Sequence, residues 1–156
     1  MKTKNDTQNA TQSQEEALLR EKAHHYLVCF SESCPLRDDC LRWMVGQYAD
    51  PNVPSWTAVN PRNPKVGGEQ CEMFRKRQRV VMKRGLTRMY DDMPGQVEYN
   101  VRHLLIRMWG RNQYFDYRRG DLLLDPDRQK DVAYACRQCG WQGPIVYDGE
   151  EESWLW

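Results

Sequence analysis

The chain has 156 residues, 40% apolar and 29% charged, with 23 Lys and Arg against 22 Asp and Glu. That balance excludes an intrinsically disordered chain, and the length suits one domain with a real core. No apolar run approaches the roughly 20 residues needed to cross a bilayer, and the polar start MKTKNDTQNATQSQEE lacks the apolar centre of a signal peptide. The expected compartment is therefore the cytoplasm, with no membrane partner. Thiols stay reduced there, so six cysteines read as metal ligands or core residues before disulfides. Charge is unevenly placed: residues 1–71 carry 8 basic and 9 acidic groups, residues 72–119 carry 12 and 5, and residues 120–156 carry 3 and 8. A basic middle and an acidic end can attract each other, or the basic part can mark a surface for nucleic acid.

Residues 1–14, rich in Asn, Thr, Gln and Ser, read as a flexible tail. Ser13 with Glu16 fits a capping box, which predicts a helix from about Gln14 to Leu27 with Leu18, Lys22 and His25 on one side. His24 and His25 precede Cys29 closely; neutral imidazole binds zinc well, but a solvated histidine at a helix end is the plainer reading. His103, far along the chain, reads as a surface or partly buried side chain.

Three cysteines then fall within twelve residues, CFSESCPLRDDC, and a fourth follows a proline-rich loop. The ligand candidates are Cys29, Cys34, Cys40 and Cys71, spaced C-x4-C-x5-C-x30-C. Four thiolates suit tetrahedral zinc, or an iron–sulfur cluster held by four cysteines. The spacing lacks the paired CxxC of zinc ribbons, and four buried cysteines acting as small apolar residues, with no metal, is the competing reading. Asp38 or Asp39 is expected to cap a short helix over Cys40–Val45, putting Cys40 in its first turn, where the helix dipole favours negative charge. The loop from Asp50 to Gly68, with four prolines and Gly67-Gly68, reads as irregular and semi-rigid, tacked down by Val53, Trp56 and Val59.

From Glu72 to Arg88 the chain is basic, with Arg75, Lys76, Arg77, Arg79, Lys83, Arg84 and Arg88 and no acid after Glu72. The segment reads as a strand then a helix, or as one helix interrupted at Gly85. Its cations, with Arg118 and Arg119, are candidate nucleic-acid contacts; a solvated or acid-paired face is the alternative, since no base-reading motif accompanies them. The clearest helix runs over about Gly95 to Trp109, with Val97, Val101, Leu104, Leu105 and Met108 in one stripe and Gly110 as its stop. Gln113 to Leu124 predicts a β-hairpin turning at Arg118-Arg119-Gly120-Asp121. Asp125-Pro126 opens a helix to about Gln138. Cys136 and Cys139 lie on its Val132 face and read as core residues, as a reactive redox dithiol, or as a second metal pair resembling half a zinc ribbon. Ile145-Val146-Tyr147 suggests a short strand, and the acidic, Trp-rich end is expected to pack against something.

The run Tyr26-Leu27-Val28-Cys29-Phe30, Cys34-Pro35, Cys40-Leu41-Arg42, Val59-Asn60-Pro61 and Cys71 with Phe74-Arg75 resembles an uncharacterised family of small bacterial proteins, a domain of unknown function. The likeness continues through residues 113–120, Leu124-Asp125-Pro126 and Trp156, and so covers about residues 26–156. The four early cysteines match its pattern; Cys136 and Cys139 fall outside it. The resemblance supplies no activity.

The expected fold is α+β and helix-dominated: an irregular Cys-rich N-terminal half, then helix, β-hairpin, helix. The expected organisation is one domain over residues 15–156, with a Cys-bearing part at 26–75, a helix-hairpin-helix part at 76–141 and an acidic aromatic tail at 142–156. No nucleophile–base pair, phosphate loop or paired carboxylates point to an enzyme. The expected function is a four-cysteine structural metal site, with zinc as cofactor, in a binding or regulatory module whose partner is a protein or a nucleic acid. The alternative is a redox protein carrying an iron–sulfur cluster or the Cys136/Cys139 dithiol.

Overall fold

The computed structural model describes residues 4–156, with side chains from Gln12 onward. Among the described residues are five α-helices and one three-stranded antiparallel sheet, the helix-dominated α+β class expected. The chain divides into two compact units. The first comprises the described residues through Gln78 together with Trp156, and the second comprises Arg79–Leu155.

In the first unit, α1 spans Lys4–Ala23 and α2 spans Leu41–Gly46. Helix α1 starts ten residues earlier than the capping box implied, so residues 4–14 are helical rather than a tail; residues 1–3 of that expected tail lie outside the described residues. This stretch has no Gly or Pro, and its polar residues cost only a few tenths of a kcal/mol each in a helix. The buried face is also one residue off the expected stripe. Leu19 and Ala23 are buried, whereas Leu18 is 42% exposed. They join Val28, Leu41, Val45 and Val59 in the buried part of this unit. A 3-10 turn at Arg37–Asp39 precedes α2, whose N-cap is Cys40; no side chain caps it, so neither Asp38 nor Asp39 has the expected role. The proline-rich loop is held by backbone bonds from Val28 N–H to Thr57 O and from Val59 N–H to Val28 O, and by side-chain turns at Asp50, Asn60 and Asn63.

In the second unit, β1 (Arg79–Arg84) is the central strand, flanked by the two-residue β2 (Leu123–Leu124) and by β3 (Gly149–Trp154). Register pairs Lys83 with Glu150 and Met82 with Glu151 across β1 and β3. Basic middle and acidic end thus meet as neighbouring strands, and β3 falls at 149–154 rather than at the expected Ile145–Tyr147. Of those residues, Ile145 and Tyr147 pack against the core from outside the sheet. The three remaining helices are α3 (Gly95–Trp109), α4 (Arg111–Arg119) and α5 (Pro126–Gln138).

Helices α3 and α5 lie where their patterns put them. Asp125 caps α5, its Oδ1 accepting from Arg128 N–H at 2.8 Å, with Pro126 in the first turn. Val101 and Leu105 of α3 are fully buried, but Met108 is 39% exposed and Trp109 takes the buried place. The expected hairpin is a correction: residues 111–119 form α4, ended by Gly120 in the left-handed region at φ 80°, and only the return strand survives, as β2. Tyr114 is the cause. In the helix it is fully buried, and its hydroxyl meets Tyr90 Oη at 3.0 Å inside the core with Val132 and Cys136.

Candidate metal centre

Cys29, Cys34, Cys40 and Cys71 line one cavity of about 20 Å³ in the first unit. Each arrives on a different local structure. Cys29 follows the Val28–Ala58 bridge, and Cys34 sits in a turn closed by its N–H on Ser31 O. Cys40 is pinned by an antiparallel bridge to Lys76 and starts α2. Cys71 ends a tight loop in which Gly67, at φ 83°, donates its N–H to the Cys71 sulfur at 3.4 Å. Cys29 and Cys40 are buried, while Cys34 and Cys71 are partly exposed, and all six cysteines of the chain are free thiols. As the side chains stand, no group of three or more Cys, His, Asp or Glu among the described residues could hold a metal ion. The four cysteines line one cavity without forming such a group.

Arg42 is the residue that motif reading missed. Its Nε donates to Met73 O and its NH1 to Leu27 O, both at 2.9 Å, and its own carbonyl accepts from Cys29 N–H at 3.0 Å. Leu27, Arg42 and Met73 are each two residues from a cysteine of the cavity, so one guanidinium fixes the relative positions of all three cysteine-bearing segments. It also stacks over Tyr26 at 5.2 Å and lines the cavity, where a cation offsets thiolate charge. Gly46 packs as closely: a Cβ there would lie 2.5 Å from Cys29 O. An arginine in CLR two residues after a cysteine was the available signal, but nothing in the sequence says which carbonyls it reaches.

The histidines stay outside the cavity lining. His24 stacks on Trp56 with centroids 5.0 Å apart, and His103 on Tyr99 at 4.1 Å. Cys136 and Cys139 belong to the second unit. Cys136 is buried in its core, 3.9 Å from Met89 Sδ, and burial pushes its thiol up to about 11. Cys139 caps the end of α5, partly buried against the same core.

Most of the candidate nucleic-acid cations are engaged. Lys83 pairs with Glu150, and Arg84 bonds Glu151 and Gly120 O at 2.7 Å each. Arg119 is held by Asp116 and Asp121, and Arg118 lies over the Tyr90 ring. Arg75 donates to Trp156 O, and Arg79 stacks on Trp154 at 4.8 Å. Lys76 and Arg77 are exposed beside the Cys40 bridge. The acidic strand β3 thus pairs with the cations at the centre of the basic run. No helix among the described residues is long and apolar enough to cross a membrane.

No curated protein and no solved structure matches the chain. The sequence model of a family of unknown function, DUF6078, matches residues 5–156, and the chain belongs to that family.

Proposed function

We propose that the first unit is a metal-stabilised binding module in which Cys29, Cys34, Cys40 and Cys71 hold one zinc ion. The observation that carries this is their convergence on a single cavity from separate segments of a loop-rich chain. Such a chain has few apolar residues with which to hold its ends, and a structural ion supplies that folding energy directly. Ligation requires the sulfurs to rotate inward onto one ion, with the Gly67 N–H on the Cys71 sulfur and the Arg42 guanidinium beside the cavity. A cavity of about 20 Å³ is the size of one water or one ion, which favours a single ion over a four-iron cluster. For the Cys136/Cys139 dithiol, a buried thiol raised to about 11 is a poor nucleophile at neutral pH.

Elemental analysis of protein purified without added metal tests the proposal. One zinc per chain is expected, lost in Cys40→Ser and Cys71→Ser and retained in Cys136→Ser. A brown preparation containing iron would replace zinc with the cluster. Metal-free protein whose four thiols alkylate independently would remove the site altogether.

A further inference from the structure

We propose that a polar cleft of the first unit binds a small zwitterion, a free amino acid or a short peptide, with its carboxylate on Arg20 and its ammonium on Asp50 and Glu16. The cleft lies between α1 and the chain that leaves α2, and its volume is about 740 Å³. That falls within the roughly 300–1,000 Å³ of small-molecule sites. It shares no lining residue with the cysteine cavity, so absence of metal and absence of ligand binding are separate outcomes.

Two pieces of chain build the walls. On one, Glu16, Arg20 and His24 recur at i, i+4 and i+8, within about 80° of arc at 100° per residue, beside the buried Leu19 and Ala23 that seat the helix. His24 stacks on Trp56, their ring centroids 5.0 Å apart. On the other wall, the N–H groups of Tyr48 and Ala49 bond Val45 O and Gly46 O, so the chain leaves α2 in a fixed turn. Asp50 follows. Its Oδ1 accepts from Asn52 N–H at 2.8 Å and from Asn52 Nδ2 at 2.9 Å, which orients the carboxylate and leaves Oδ2 for a ligand. Those two bonds hold its carboxyl below the ordinary 3.8, and His24 and Arg20 across the cleft add to the effect.

Charge selects the ligand. Among the described residues neither Glu16 nor Arg20 makes an ion pair, so both signs of charge stand open in one cleft. A simple anion on Arg20 would face Glu16 and Asp50, and a simple cation on the carboxylates would face Arg20. A molecule carrying both charges satisfies all three. The guanidinium fork matches a carboxylate bidentately, and an open carboxylate oxygen accepts from an ammonium group.

Isothermal titration calorimetry of the full chain as purified, with each of the common L-amino acids and with glycylglycine, tests this; acetate and methylammonium are the single-charge controls. Saturable binding of at least one zwitterion is expected, with both controls much weaker. Binding of glycylglycine without any single amino acid would support the cleft as a site for peptide ends. Arg20→Ala and Asp50→Asn should each weaken binding about tenfold or more through loss of a charge-assisted contact, and Lys65→Ala, outside the cleft, should leave it within about twofold. The substituted side chains are exposed, and circular dichroism checks that the variants fold. The proposal is overturned by no zwitterion binding at millimolar concentration, by acetate or methylammonium binding as tightly, or by unchanged affinity in either cleft variant.

Discussion

At the scale of single residues, the cysteine cavity depends on a side chain that is not a ligand candidate. Arg42 bonds two carbonyls 15 and 31 residues away in sequence, using two arms of one planar group. A lysine carries the same charge but is a point donor and cannot span both. Arg42→Lys is therefore expected to leave at least one part-buried carbonyl unsatisfied and cost on the order of 1–3 kcal/mol. Urea unfolding measures that cost, and a parallel metal titration should show weaker zinc binding by the same variant. Unchanged stability and zinc affinity would mean that backbone bonds alone position the segments. The cysteines themselves were legible because three of them crowd into twelve residues. Arg42 was not, because a fork reaching two distant carbonyls leaves no local pattern.

At the scale of elements, Asp148 joins the sheet to the turn after β1. Its carboxylate accepts from Thr87 N–H at 3.1 Å, from Thr87 Oγ1 at 2.5 Å and from Arg88 N–H at 2.8 Å, organising the 3-10 turn at Arg88–Tyr90. Burial pushes this carboxyl up, but the hydrogen bonds from Thr87 and Arg88 together outweigh it and hold it below the ordinary 3.8. A carboxyl that is a stronger acid folded than unfolded stabilises the fold above its unfolded pKa, and that contribution drains away as pH falls through the lower, folded value. Asp148→Asn is thus expected to cost about 1 kcal/mol near pH 7, the group being partly solvated, and to flatten the loss of stability below pH 4. Thermal melts from pH 2 to 7 check this; an acid limb identical to wild type would show that the carboxylate charge is immaterial. The same elements show what sequence can and cannot disclose. Helices α3 and α5 were readable from an apolar stripe and an Asp-Pro start, both local signals. Strand β3 was not, because Glu-Glu-Glu is a poor strand until Lys83 and Arg84 of β1 lie alongside it. Helix α4 reads as a strand in sequence because Tyr-Phe-Asp-Tyr has strand-like composition; the burial of Tyr114 against Tyr90, a tertiary contact, decides it.

At the scale of the whole molecule, the proposed ion would give the two units different stabilising chemistry, and that difference is measurable. The second unit has a continuous core from Leu86 to Cys136, with Val101, Leu105, Tyr114, Leu124 and Val132 all fully buried. Burial on that scale, at roughly 25 cal/mol per Å² of apolar surface, needs no ion. The first unit has a smaller set of buried apolar side chains and a long irregular loop whose order, on the metal reading, depends on the four thiolates. Hydrogen exchange with and without a strong chelator separates the two. Chelation is expected to strip protection from the amides of Val28, Leu41 and Val45 while those of Val101, Leu105 and Val132 keep theirs. Equal loss in both sets would mean that the units unfold as one, and no loss in either would remove the ion from the stability of the fold. A loss confined to the first set would place the ion's contribution in the unit that carries Cys29, Cys34, Cys40 and Cys71, because stabilisation by a bound ion is felt only by the segments that unfold when it leaves.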